Sequence, residues 1–142
     1  MVPISELCAE HRQLEAQARQ MLAIVAGPVA DAAAIAGIRW RMAQALYNHC
    51  EREDRLIYRT ILSSGDAVAT GIAMAYRIEH GQLALDFGRY ITDWPVTRIN
   101  REWDSFRAET HAAMAALAVR IKNEEDTLYT HAERVIERRK AA

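Results

Sequence analysis

The stretch Asn48-His49-Cys50-Glu51-Arg52-Glu53-Asp54-Arg55-Leu56-Ile57-Tyr58 decides how this chain is read. His49 and Glu53 are four residues apart, and residues at that spacing stack on one face of a helix. The same face carries Ile35, Ile38, Met42 and Ala45 before them, and Leu56 and Thr60 after them. An imidazole and a carboxylate therefore occupy seam positions where apolar side chains belong. Burying them costs free energy unless each finds a partner, so they meet either a metal or an opposite charge.

Outward from that helix, the chain punctuates itself into four. Pro3 suits a helix start, Gly27-Pro28 ends the first helix, and Trp94-Pro95-Val96-Thr97 separates the third from the fourth. Ser63-Ser64-Gly65-Asp66 separates the second from the third, with Ser64 or Asp66 as N-cap. Six glycines and three prolines in 142 residues leave room for little but helix. The spacing predicts helices over 3–26, 31–63, 66–93 and 97–137. Short connections between them predict an all-α fold, an antiparallel up-down-up-down four-helix bundle formed as a single domain over 1–142.

Steps of three and four trace the other seams. The first helix gives Ile4, Leu7, His11, Leu14, Ala18, Met21 and Val25. The third gives Ala73, Tyr76, His80, Leu83, Phe87, Tyr90 and Trp94. The fourth gives Trp103, Phe106, Thr110, Ala113, Leu117, Arg120, Glu124 and Leu128. Each seam turns polar at one level: His11, then His49 and Glu53, then His80, then Arg120 and Glu124. One polar layer across the bundle follows. Three imidazoles and two carboxylates are donors that iron, manganese or zinc accept. A buried hydrogen-bonded network that sets helix register is the other account.

Four short motifs carry a resemblance. Leu7-Cys8-Ala9-Glu10-His11, then His49 and Glu53 followed by Leu56-Ile57-Tyr58, then Glu79-His80, then Glu124-Glu125-Asp126-Thr127-Leu128-Tyr129 stand in order along the chain. Together they resemble the hemerythrin-like (HHE cation-binding) family over nearly the whole length. The resemblance implies a non-haem di-iron centre serving oxygen binding, oxygen or redox sensing, or iron handling. It implies His11 and His49 on one metal, Glu53 and Glu124 as bridging carboxylates, and His80 at the other metal. Two positions of that other metal depart from the family: Arg120 stands where a histidine is usual, and Tyr76 where the third helix often has one. Thr130 also replaces the proline that usually closes the last motif.

Arginine stays protonated and cannot ligate, but its guanidinium can stand in an ion's place and fork to Glu53 or Glu124. Three states stay open. One is a mononuclear site on His11, His49, Glu53 and Glu124 with His80 near. Another is a dinuclear site recruiting Tyr76 or Glu125. The last is an ion-free bundle in which Arg120 and the histidines neutralise the carboxylates. The expected cofactor is thus iron, as one or two ions or none, and the expected ligand is dioxygen, nitric oxide or a peroxide. A metal-free signalling or protein-interaction module is the alternative function.

The remaining features bound the reading. His111 lies half a helical circumference from Arg120, outside the seam, and His131 lies about 10 Å below Glu124 by helix rise. Cys8 and Cys50 are expected to be inert, partly buried thiols; Trp94, Trp103 and Phe87 are expected to pack the bundle end, and Arg39-Trp40-Arg41 to be solvated. A net charge of -1 and a pI near 6.5 argue against nucleic acid. There is no membrane-length apolar run and no leader-like N-terminus, and a reducing cytoplasm is expected. No motif for turnover of an organic substrate is present.

Overall fold

The structure, a computed structural model, describes residues 4–141, and the Pro3 helix start lies outside them. Among the described residues every regular element is helical. α1 is Ile4–Val25. α2 runs over 32–62 as Ala32–Glu53, a π-helical turn Asp54–Tyr58 and a last turn Arg59–Leu62. α3 is Ala67–Asp93, and α4 is the short helix Val96–Arg101. α5 runs over 103–141 as Trp103–Asn123, a second π-helical turn Glu124–Leu128, and Tyr129–Ala141.

Caps explain the starts. The Asp31 carboxylate accepts from the Ala34 amide at 3.1 Å and opens α2. Gly65, at φ 77°, turns the chain into Asp66, whose carboxylate accepts from the Ala69 amide at 3.0 Å. Asp66 rather than Ser64 is therefore the cap of α3, and Arg138 reaches the other Asp66 oxygen at 2.6 Å. Asp66→Ala is expected to lower the melting temperature by roughly 3 °C, with Asp66→Asn keeping most of the native stability.

The fourth helix departs from the expected 97–137. Glu102 leaves helical geometry at φ -125°, ψ 50°, so α4 and α5 are separate. Aromatic packing dictates the break: Trp94 and Trp103 both close on the Phe106 ring, at 5.4 and 5.9 Å. Trp94 Nε1 donates to Glu109, and the Arg98 guanidinium lies 3.8 Å above the Trp94 ring. Arg39 is also corrected. Only 7% exposed, it donates to the Trp94 carbonyl at the end of α3, while its neighbour Trp40 stays 67% exposed.

Two apolar clusters hold the helices together. One contains Leu14, Met21, Ile35, Met42, Trp94, Phe106 and Leu117; the other contains Leu7, Ile57, Ile61, Ala73, Leu128 and Ala132. Burial of each large side chain contributes about 1.5–3 kcal/mol. Between the clusters, at the step from Leu7 to Leu14, from Met42 to Ile57 and from Leu117 to Leu128, lies the polar layer. No helix among the described residues is long and apolar enough to cross a membrane.

Candidate metal centre

His11, His49, Glu53, Arg120 and Glu124 are all buried in that layer. One ligand atom from each of His11, His49, Glu53 and Glu124 lies within 4.8 Å of the others, so the four could hold a metal. His49 Nε2 is 3.0 Å from Glu53 Oε2, and His11 Nε2 is 3.2 Å from Glu124 Oε1. Each imidazole is held from behind through Nδ1: His11 by Glu125 at 2.7 Å, His49 by Glu10 at 2.8 Å. Those carboxylates are anchored by Arg12 and Arg52 respectively. A carboxylate on the far nitrogen fixes the tautomer that turns Nε2 and its lone pair to the centre.

The charges are arranged for a cation. Burial alone would raise the Glu53 carboxyl, but the His49 and His80 imidazoles beside it hold it well below the usual carboxylate range. Burial opposes a charge on His49 too, yet Glu124 and Glu53 outweigh it and push the imidazole up to about 10. Without an ion, a proton on His49 thus compensates the carboxylates. Glu53 Oε1 and Glu124 Oε2 are buried with no hydrogen-bond partner among the described residues. Two buried carboxylate oxygens without a hydrogen-bond donor, set beside two imidazoles, form a donor set that fits a metal.

A family model, the hemerythrin HHE cation binding domain, matches residues 2–132. The chain belongs to this family. No curated protein and no solved structure gives a significant match.

Within this hemerythrin-family fold the other half of the layer is changed. His80 Nδ1 is 3.1 Å from Glu53 Oε1, outside hydrogen-bond geometry, and His80 is half-buried. Arg120 does not fork to either central carboxylate. Its Nε lies 3.4 Å from Glu124 Oε2, while the terminal nitrogens donate to the Tyr76 carbonyl at 2.6 Å and to Glu79 at 3.3 Å. The Tyr76 hydroxyl turns away to the Asn123 carbonyl, and Glu125 is committed to His11. Tyr76 therefore stands outside the four-donor cluster. His111 is exposed and His131 half-buried, neither in the cluster. The cysteines are free; burial, with Glu53 second, pushes Cys50 up to about 12, and burial raises Cys8, so both thiols are poor nucleophiles.

Sequence reasoning missed three participants: Glu10, Tyr129 and Tyr58. The Tyr129 hydroxyl donates to Glu53 Oε2 at 2.6 Å and lies 3.3 Å from His11 Nε2. Tyr58 sits beside Arg120, its oxygen 3.5 Å from the guanidinium, with its ring edge-on to His80. Burial first, then the Glu53 charge, raises both phenols well above the usual tyrosine range. A signal for all three exists, because the chain repeats itself. Glu10-His11-x-Gln13-Leu14 returns as Glu79-His80-x-Gln82-Leu83, and His49-x3-Glu53-x4-Tyr58 returns as Arg120-x3-Glu124-x4-Tyr129. The contacts repeat as well: Glu10 holds His49 as Glu79 holds Arg120, and His11 faces Glu124 as His80 faces Glu53. Arg120 occupies the place that His49 has in the first half.

Proposed function

We propose that this protein binds one iron ion through His11, His49, Glu53 and Glu124, with the fixed charge of Arg120 replacing a second ion. The observation that carries the reading is the pair of orphaned oxygens, Glu53 Oε1 and Glu124 Oε2, beside two imidazoles whose Nε2 atoms face the centre. Neither Tyr76 nor Glu125 is free for a second ion, which favours the mononuclear state. When bound, the metal would supply a Lewis-acidic, redox-capable centre that takes dioxygen, nitric oxide or a peroxide. A cavity of about 10 Å³, close to the least that one water needs, adjoins the layer between His11, His49, His80, Arg120 and Leu117. We read the role as sensing of such a ligand, or as iron handling, in a reducing compartment where Cys8 and Cys50 stay free. The way opposite helix ends share the two apolar clusters supports an antiparallel up-down-up-down bundle forming one domain.

A metal-free interaction module is the second reading, favoured by the ion pairs that already link His11, His49, His80 and Arg120 to carboxylates. Elemental analysis of chain purified from iron-supplemented cells separates the two. About one iron per chain is expected on the first reading. Iron-free protein sinks it.

A further inference from the structure

We infer that Tyr129 is a fifth ligand to this ion, binding as a phenolate, and that it tunes the centre toward the ferric state. The inference deepens the iron reading above and rests on it. The Tyr129 oxygen lies 2.6 Å from Glu53 Oε2, 3.3 Å from His11 Nε2 and 3.5 Å from His49 Nε2. Atoms held by one ion at about 2.0–2.2 Å stand roughly 3 Å from one another. The two His–Glu edges of the cluster, 3.0 and 3.2 Å, and these three tyrosine edges are all of that kind. The phenol thus belongs to the same polyhedron as the four donors.

Local structure explains how it gets there. Five residues beyond Glu124, an ideal α-helix would swing Tyr129 about 140° around the axis, away from the centre. The π-helical turn Glu124–Leu128 takes up the extra residue and leaves both Glu124 and Tyr129 buried. The ring then stacks on the His11 imidazole at 5.4 Å and 3°, which fixes its line of approach.

Ligand chemistry favours the higher oxidation state. Two carboxylates and a phenolate are hard anionic oxygen donors, which a ferric ion takes up in preference to a ferrous one. With a ferrous ion the phenol keeps its proton. On ferric binding the proton shared with Glu53 Oε2 leaves to solvent and the oxygen bonds to iron, so the exchange balances without an electron transfer.

The test loads stripped chain with a weak ferric chelate and reads iron stoichiometry, visible absorption and resonance Raman scattering. The expected result is a visible phenolate-to-iron band with tyrosinate ring modes. The band should be lost in Tyr129→Phe and kept in Tyr47→Phe, an exposed tyrosine of α2. Ferric affinity in Tyr129→Phe should fall at least about tenfold. Bound iron without tyrosinate modes, or a band that survives Tyr129→Phe, overturns Tyr129 as ligand and leaves the iron reading standing. Failure of the unaltered chain to bind iron overturns both. The Raman spectrum of the unaltered chain decides the matter even if Tyr129→Phe does not fold.

Discussion

Chelation of the metal-loaded chain is expected to lower its melting temperature by about 10 °C. An ion held at a free concentration a thousandfold above its dissociation constant stabilises the native state by about 4 kcal/mol, and each kcal/mol is worth roughly 2–4 °C at this size. The effect is large because neither Glu53 Oε1 nor Glu124 Oε2 has a hydrogen-bond donor among the described residues to replace the ion. It should also grow with pH. In the stripped chain the His49 imidazole, raised from 6.5 to about 10, contributes stability that is fully present below pH 6.5 and is lost as pH climbs through 10. Glu53, held below its ordinary 4.5, contributes stability present above that pH and lost in acid. Stripped chain should therefore be most stable between about pH 5 and 6.5. The ion competes with the proton for His49, so metal affinity rises over the range in which the stripped form weakens. Melting curves with and without chelator at pH 6 and pH 9 measure both effects. A melting temperature indifferent to chelator at each pH would leave only the metal-free reading.

Arg120→His is expected to raise metal content from about one ion per chain to about two. Position 120 corresponds to His49 in the internal repeat, and Glu124 follows it at the same spacing as Glu53 follows His49. The substitution removes a fixed positive charge and supplies a neutral nitrogen beside Glu124 Oε2, with His80 already 3.1 Å from Glu53 Oε1. It also strips the Tyr76 carbonyl of its donor, so the metal-free variant should lose roughly 1–3 kcal/mol, recovered when loaded. Arg120→Gln removes the charge without adding a ligand of comparable strength and should stay near one ion. A folded Arg120→His chain that still binds a single ion would show that something other than the guanidinium excludes the second.

The layer was legible because its residues break a pattern. His11, His49, Glu53 and Glu124 interrupt apolar seams at matching depths, and burying such groups is costly unless they find partners. The seam count failed only past the layer: Leu56 and Thr60 were expected inside α2, and Ile57 and Ile61 are buried instead. One extra residue in the π turn Asp54–Tyr58 shifts the buried face by one position. The same phase error hid Tyr58 and Tyr129, because a constant 100° per residue points both phenols away from the glutamates that precede them.

What the amino-acid order determined by itself is the helical class, the breaks between the first three helices, and the donors that share one level, since these follow from spacing, caps and polarity along single helices. Tertiary structure decided the rest. It turned Arg120 toward the Tyr76 carbonyl rather than into a fork with Glu53, and broke the last helix at Glu102. It set Glu10 of one helix behind His49 of the next, and brought Tyr129 to within 2.6 Å of Glu53. Those outcomes depend on which side chains from different helices compete for the same buried space, and a helical period read along one segment carries no information about its neighbours.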